Sequence, residues 1–510
     1  MLERRPTLDA EDADRSYVYM IDWRGRSMTD AAGVSEAVAA AGVSTTTIDF
    51  MQAGRREGAG VLPDGKTKSS VIQIKDEMRS NVWLPRTAFL RALSSGLRTA
   101  EAAGRVSLLH NTEAADIRLG AAPAPGPASP SSPAASRPAI TVTATDITTG
   151  ASRTFAPRLL VGADGMNSAV RAALERHEEE ERGAGAAAAA GAGGEGRFRP
   201  VVLDSPAAGL RFRVLQLPPN APFRRPPPGG GSGGEEAGRL ENGRFGKVVG
   251  VRAPRLRALA LGLLPLRDPA APRSANIIVP PEHEVWAQTS GEALRDFLQA
   301  SFPQLDIGAL MTPQQLAAAA TSRGGVFPRP QYLRHFTAVV PQPQPHAAEP
   351  AASPAAASGV VLLGDAVHCF PPDLGQGVNS SLADAVALVK ALDAAGGDLA
   401  AGLPAFEAAA APEAAALAEL MTFSYPYQYN QDPVARAFWT ANFLMRMLLN
   451  KVAPWAFEPH SFLLVQQPIP YVEALRRAHA TTQRMWALAA ALAAVAAAFL
   501  VRAAMGVPPS

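Results

Sequence analysis

GDAVHCFPPDLGQGVNSSLADAV, residues 364–386, decides how this chain is read. It completes the apolar run GVVLLGDA (359–366), which reads as a buried strand ending at a glycine. Gly364 lets the chain turn and leaves Asp365 at the strand's carboxyl end, where open α/β sheets bind their ligands. A carboxylate there accepts hydrogen bonds from sugar hydroxyls. Pro371, Pro372, Gly375 and Gly377 then bend and stiffen the chain ahead of a helix predicted over residues 378–392. The first N–H groups of such a helix point outward at the positive end of its dipole and favour negative charge on a ligand. A Gly-Asp pair alone is an ordinary turn. The full string G-D-A-x-H-x-x-x-P-x-x-G-Q-G-x-N-x-x-x-x-D is far more restrictive as a motif than that pair.

Around this stretch lies a chain of 510 residues, long enough for two domains with appendages. A net charge of +2, with no long Lys/Arg run among aromatics, argues against a nucleic-acid partner. Cys369 is the sole cysteine, so no intramolecular disulfide can form, which suits a reducing compartment. The opening MLERRPTLDAEDADRS is charged and has no secretory apolar core. The tracts at 122–138, 183–196, 224–236 and 341–358 are rich in Pro, Gly, Ala and Ser. They bury too little apolar surface to offset ordering entropy, and they read as disordered insertions in surface loops.

Between the tracts the periodicity is ordinary. Helices are predicted at 84–100, 167–180 and 292–302, and strands at 140–146, 153–164, 210–218, 243–252 and 257–266. Strand–turn–helix units at both ends and a strand-rich middle predict an α/β nucleotide-binding domain interrupted by a mostly antiparallel second domain. The expected divisions are 1–196 (with insertions at 120–139 and 183–196) and 341–415 for the nucleotide domain. The second domain takes 197–340, a helical region 416–484, and an apolar tail 485–504.

The opening string resembles the Gly-Asp motif of the FAD-dependent aromatic hydroxylases. LLVGADGMNSAVR (159–171) resembles the family's second motif, with Asp164, Gly165, Ser168 and Arg171 matching. VWLPRTAFLRAL (82–93) resembles its arginine-headed helix, with Arg86 in place. The start, with Arg15, Ser16, Arg24 and Gly25, resembles the kynurenine 3-monooxygenase branch, as do FLMRMLLNKVAPWAF (443–457) and PYVEALRRA (470–478). The resemblance implies a three-layer FAD-binding domain with an inserted substrate domain and a C-terminal helical tail. It implies FAD as cofactor, NAD(P)H as co-substrate, and transfer of one oxygen from O2 to an aromatic substrate, with kynurenine a candidate, through a flavin hydroperoxide. Another hydroxylase or epoxidase of the same fold, or an inactive membrane-tethered relic, stands as the alternative.

Carried over residue by residue, the resemblance gives Asp365 to the ribityl chain. Pro372, Gly375, Gln376, Gly377, Val378 and Asn379 fall to the flavin edge, and Glu3 to the adenosine ribose. Arg15, Arg86, Asp164 and Gly165 join the cofactor side, Arg86 and Asp164 towards the diphosphate. Asn379 and Tyr425 are the candidate substrate contacts, although a tyrosine of SYPYQYN (424–430) can equally be a packing residue. His368 receives no role, Cys369 reads as a small buried residue, and neither a catalytic base nor a metal site is assigned. Two departures bear on substrate choice. TTTIDFMQAG (45–54) offers no counterpart of the arginine that holds the kynurenine carboxylate, and MRSN (78–81) stands where a tyrosine is expected.

Nucleotide-binding folds of this kind open with a strand, G-x-G-x-x-G and a helix, and the sequence shows no such fingerprint. Glu3 matches the ribose-binding acid that follows that unit, so the sequence reads as one βα unit short. An incomplete gene model and a shortened protein with weak FAD binding are the competing expectations. At the other end, MWALAAALAAVAAAFLV (485–501) is 17 residues without a charge. As a helix it spans about 25 Å, near the roughly 30 Å of a bilayer core. Arg484, Arg502 and Trp486 suit the interface. The expectation is a tail anchor facing the cytosol, on the mitochondrial outer membrane by the resemblance, against an Ala-rich soluble helix.

Overall fold

The computed structural model describes residues 1–8, 18–53, 68–73, 80–120, 138–185, 196–224, 236–250, 259–341, 357–429 and 432–505. Most of the Pro/Gly/Ala-rich tracts lie outside these residues, as does Arg15.

The first ordered unit is β1 (Val18–Ile21), which leads through Asp22 into α1 (Trp23–Ala31). β1 pairs antiparallel with β2 (Asn81–Pro85), whose end runs directly into α2 (Arg86–Ala102). Pro85 has no N–H to lose at a helix start, so the strand can pass into the helix without a loop. Ile21, Val82, Leu84 and Phe89 close a small core between these elements.

A second unit holds the opening stretch. β3 (Leu159–Gly162) precedes α3 (Ala169–Gly185), and β4 (Thr337–Pro341) precedes β5 (Ala357–Leu362). The sheet order is β4–β5–β3, with β5 antiparallel to β4 and parallel to β3. Val360, Val361 and Leu362 are fully buried in the middle strand, as an unbroken apolar run requires. Their core also takes in Leu174 of α3, Ile140 and Val142 of an antiparallel three-stranded sheet, and two long helices. These are α4 (Gly377–Ala394) and α5 (Leu399–Phe423). The sequence predicts one strand over 153–164. The structure has two, Ser152–Phe155 and β3, because Pro157 between them cannot donate to a ladder.

The strand-rich middle forms a seven-stranded sheet, antiparallel but for one junction. Its core is lined by Leu215, Leu261, Ile277, Leu294 and Phe302, and the helices Gly291–Ser301 and Pro313–Thr321 cover it. Two of its strands, Thr47–Ala53 and Lys68–Gln73, come from the segment expected to belong wholly to the nucleotide domain. Thr47–Ala53 joins in parallel to Phe245–Val249. The domain boundary at 196 is therefore crossed by a strand pairing of nearly two hundred residues' separation. Trp83 packs edge-on against Phe245 at 4.5 Å and ties β2 to this sheet.

After α5 come α6 (Pro433–Val452) and α7 (Tyr471–Ala504). The expected tail is not a separate element. α7 is continuous: Tyr471, Ala474 and Ala478 are buried against Leu417 and Leu420 of α5, while the residues after Trp486 emerge from the protein.

A candidate flavin site at the start of α4

The turn after β5 is built from special backbone. Gly364 has φ +59°, and an added Cβ would lie 2.8 Å from the Ser381 hydroxyl. Pro372–Leu374 form one 3-10 turn, which Gly375 ends in the left-handed region at φ 65°. α4 then begins at Gly377 without a side-chain cap. Its N-cap Gln376 cannot serve, because its Oε1 accepts from the Tyr471 hydroxyl at 2.6 Å. A Cβ at Gly377 would meet no atom within 4 Å. The helix thus presents free N–H groups and its positive pole to open space.

Three sequence-picked groups gather around this opening by way of β1. Asp365 is exposed, although neighbouring chain crowds it and pushes its carboxyl pKa up, with His368 pulling it down. Tyr19 of β1 is hydrogen-bonded to Arg86 at the head of α2, and both Asp365 and Arg5 act on its hydroxyl electrostatically. Arg5 in turn pairs with Glu3, whose carboxylate also accepts from the Arg5 amide at 2.9 Å. Glu3 is anchored by its backbone to Leu109 and Thr112. So Glu3, Arg86, Asp365 and the glycine turn form one connected neighbourhood, with Tyr19 and Arg5 as members the sequence did not single out.

Other picked residues are spent on the scaffold. Asn379 is fully buried; its Oδ1 accepts from the Asp22 amide at 2.9 Å, and its Nδ2 donates to Met20 O at 2.8 Å and Gly375 O at 3.0 Å. It fixes the turn to β1 rather than facing a pocket. The Asp164 carboxylate accepts from the amides of Ala169 and Val170, so it caps α3, aided by Ser168. Gly165, at φ +84°, makes the tight turn between them. Arg171 links this second motif to the first by donating to Ala366 O at 3.2 Å. Tyr425 lies between Trp439 and Phe462, at ring distances of 5.0 and 4.9 Å. Pro372 is exposed and Val378 half-buried at the rim of the turn.

His368 is a clamp. Its Nε2 lies 2.8 Å from Asp384 Oδ2, which also accepts from the Gly364 amide. Burial opposes charge on the ring, but the Asp384 carboxylate outweighs it and the pKa is raised. Burial pushes the Cys369 thiol up to about 12, which leaves it inert. A knot that no local pattern announces holds the N-terminal motif to the C-terminal region. Arg24 pairs with buried Asp22 at 2.9 Å, donates to Val465 O and Ile469 O, and lies 4.0 Å over the Tyr471 ring. A cavity of ≈ 360 Å³ at this knot is lined by Trp23, Arg24, His368, Ser380, Asp384 and Tyr471, and its lining does not include Glu3, Arg86, Asp365 or Gly377.

The family model described as an FAD binding domain matches residues 345–419, which contain the whole turn and most of α4 and α5. A kynurenine 3-monooxygenase of Salinispora arenicola is 37% identical over 151 residues, 28% of this chain and 33% of that protein. One of Stenotrophomonas maltophilia is 36% identical over 117 residues, 23% and 25% of the two chains. Over these segments the chain is similar to kynurenine 3-monooxygenases, and residues 345–419 match an FAD binding domain. The matches span a quarter to a third of those relatives' lengths. Klebsiella pneumoniae HpxO, in a structure of a variant complexed with FAD, superposes with a TM-score of 0.50 at 15% identity over 92% of both chains, a likeness of fold.

The donor set at the turn suits a flavin nucleotide. Uncapped helix amides and a clear glycine suit an electron-rich ring edge, an exposed carboxylate suits a polyol, and the Arg86 guanidinium suits a phosphate.

Proposed function

We propose that this chain is an FAD-dependent monooxygenase that uses NAD(P)H and O2 to hydroxylate an aromatic substrate, with kynurenine the substrate its relatives favour. The observation that carries the reading is the uncapped start of α4, open at Gly377 and flanked by Asp365 and the Tyr19–Arg86 pair. Bound FAD would supply the redox and oxygen-transfer chemistry. The chain's own part is positioning and electrostatics. Asp365 would hold the ribityl chain by accepting hydrogen bonds from its hydroxyls. The amides of Gly377 and Val378 stabilise negative charge at the ring edge without rearranging, since the turn is held rigid by Asn379, Gln376 and the prolines. Arg86 and Tyr19 meet the phosphate side, and Glu3 the ribose.

One observation favours a non-kynurenine ring within the same reaction class. Asn379 is fully engaged inside the protein and Tyr425 is packed among aromatic rings, so the two candidate substrate contacts are committed elsewhere. Turnover of kynurenine set against other anilines and phenols distinguishes the two substrates. Purified full-length protein should bind FAD and melt at higher temperature in its presence; absence of both effects refutes the reading.

We also propose that α7 seats the protein on a membrane. Residues 471–502 form a helix long and apolar enough to cross one, and its most apolar window is unburied. Arg484 donates to Ala456 O at 2.6 Å, so Trp455 (87% exposed) and Trp486 (73%) flank the point where the apolar run emerges. α6 adds exposed Phe438, Met445, Leu448 and Val452 at helical spacing. Deleting 485–510 should abolish flotation with liposomes.

A further inference from the structure

Asp373 is a buried acid in the middle of the glycine turn, and the resemblance gives it no role. Its side chain is on the 3-10 turn Pro372–Leu374, one residue before Leu374 is buried and two before the left-handed Gly375. It is 8% exposed. Gln428 donates through one amide nitrogen to both its Oδ1 (3.2 Å) and its backbone carbonyl (3.1 Å). The Tyr429 hydroxyl bonds to the same carboxyl. The Tyr429 ring then meets Phe327 edge-on at 5.5 Å, inside the cluster of Phe212 and Leu210 that belongs to the seven-stranded sheet. A continuous path therefore runs from the proposed flavin edge, through Asp373 and Tyr429, to the substrate domain.

We propose that Asp373 is a positioning residue: through Gln428 and Tyr429 it ties the Pro372–Gly377 turn to the seven-stranded sheet, and a negative charge on its buried carboxyl weakens cofactor binding at that turn. The cofactor half rests on the FAD reading above. The groups that act on the carboxyl are its hydrogen-bond donors Gln428 and Tyr429; Tyr425 faces it from the same segment, and Arg436 of α6 acts on Tyr425. Among the described residues no cation compensates it, and burial raises its pKa to about 8. A negative charge gained here falls two residues before Gly375 and four before Gly377, next to the helix end arranged to hold negative charge on the ligand. Like charges at one site disfavour each other.

The test measures FAD affinity and FAD-free melting temperature from pH 6 to 9.5 for the parent, Asp373→Asn and Tyr429→Phe. The parent should lose about fivefold or more in FAD affinity across this range, the lower end of common site-to-site couplings. Asp373→Asn should hold a flat profile. Tyr429→Phe removes a bond that favours the ionised form, so its midpoint should move to higher pH. The melting curves follow the same sign. A carboxyl whose folded pKa is raised above its ordinary 3.8 gives stability that is full in acid and lost as pH rises through the folded value. The parent should therefore soften towards pH 9 more than Asp373→Asn. An Asp373→Asn profile equal to the parent's, or an unmoved midpoint in Tyr429→Phe, overturns the proposal. Melting curves of the expected shape with no FAD binding at any pH refute the cofactor reading and sustain the lock.

Discussion

Asn379→Ala is the substitution that best separates a scaffold role from a substrate role at the glycine turn. The side chain joins three backbone groups: the Asp22 amide, Met20 O and Gly375 O. Asp22 and Met20 are both buried, so water cannot replace the lost bonds. Each buried group left unpaired costs about 1–3 kcal/mol, and with two such groups the expected loss is about 2–6 kcal/mol. Truncation also frees Gly375, and with it the spacing between β1 and α4. Urea denaturation followed by tryptophan fluorescence reads the change, since Trp23 and Trp83 both lie in or beside the affected elements. A companion, Gly25→Ala, presses on the same joint from the other side, because its Cβ would lie 2.5 Å from Asn379 Oδ1 and 2.9 Å from Ile21 Cγ2. Overpacking of that kind costs about 1–3 kcal/mol. A loss below about 0.5 kcal/mol for Asn379→Ala, the range of ordinary surface changes, would refute the reasoning and return Asn379 to the substrate pocket.

Gly377→Leu should leave stability within about 0.5 kcal/mol of the parent, as the added atoms enter open space, yet weaken FAD binding by more than about tenfold in a fluorescence titration. Arg24→Ala strands the Asp22 carboxylate in the interior and should cost about 3–5 kcal/mol by chemical denaturation. Glu407 accepts from the amides of Phe336 and Thr337 and the Thr337 hydroxyl, and His335 lies 3.0 Å away. Burial alone would raise its pKa, but these bonds outweigh it and hold it below its ordinary 4.5. Its stabilisation is therefore present above pH 4.5 and lost as pH falls further. The melting difference between parent and Glu407→Gln should be full at pH 7 and shrink below pH 4.5.

Local chemistry explains which features were legible in the sequence. β5 and α4 were readable to within a residue or two, because VVLL is an unbroken apolar run and Gly364 and Gly375 permit the left-handed turns that end the strand and precede the helix. The helix at α2 was equally plain, with Pro85 at its threshold. What the sequence hid depends on partners far along the chain. Matching a motif identified Asn379 but not the direction of its amide, which is set by β1 more than 350 residues earlier. Thr47–Ala53 carries no mark that its neighbour is Phe245–Val249. The Arg24–Asp22–Tyr471 knot likewise joins groups that no window of sequence holds together. Tyr425 shows the limit of composition: a tyrosine-rich run can line a pocket or fill one, and only its Trp439 and Phe462 neighbours decide.

β3 closes the β4–β5–β3 ladder, and its outer side pairs with no other described strand, while Val161 there is 43% exposed. A bare parallel flank of this kind is a template for adhesion between molecules. Concentrated preparations should slowly form larger species through it, and Val161→Lys should keep them dispersed in light scattering.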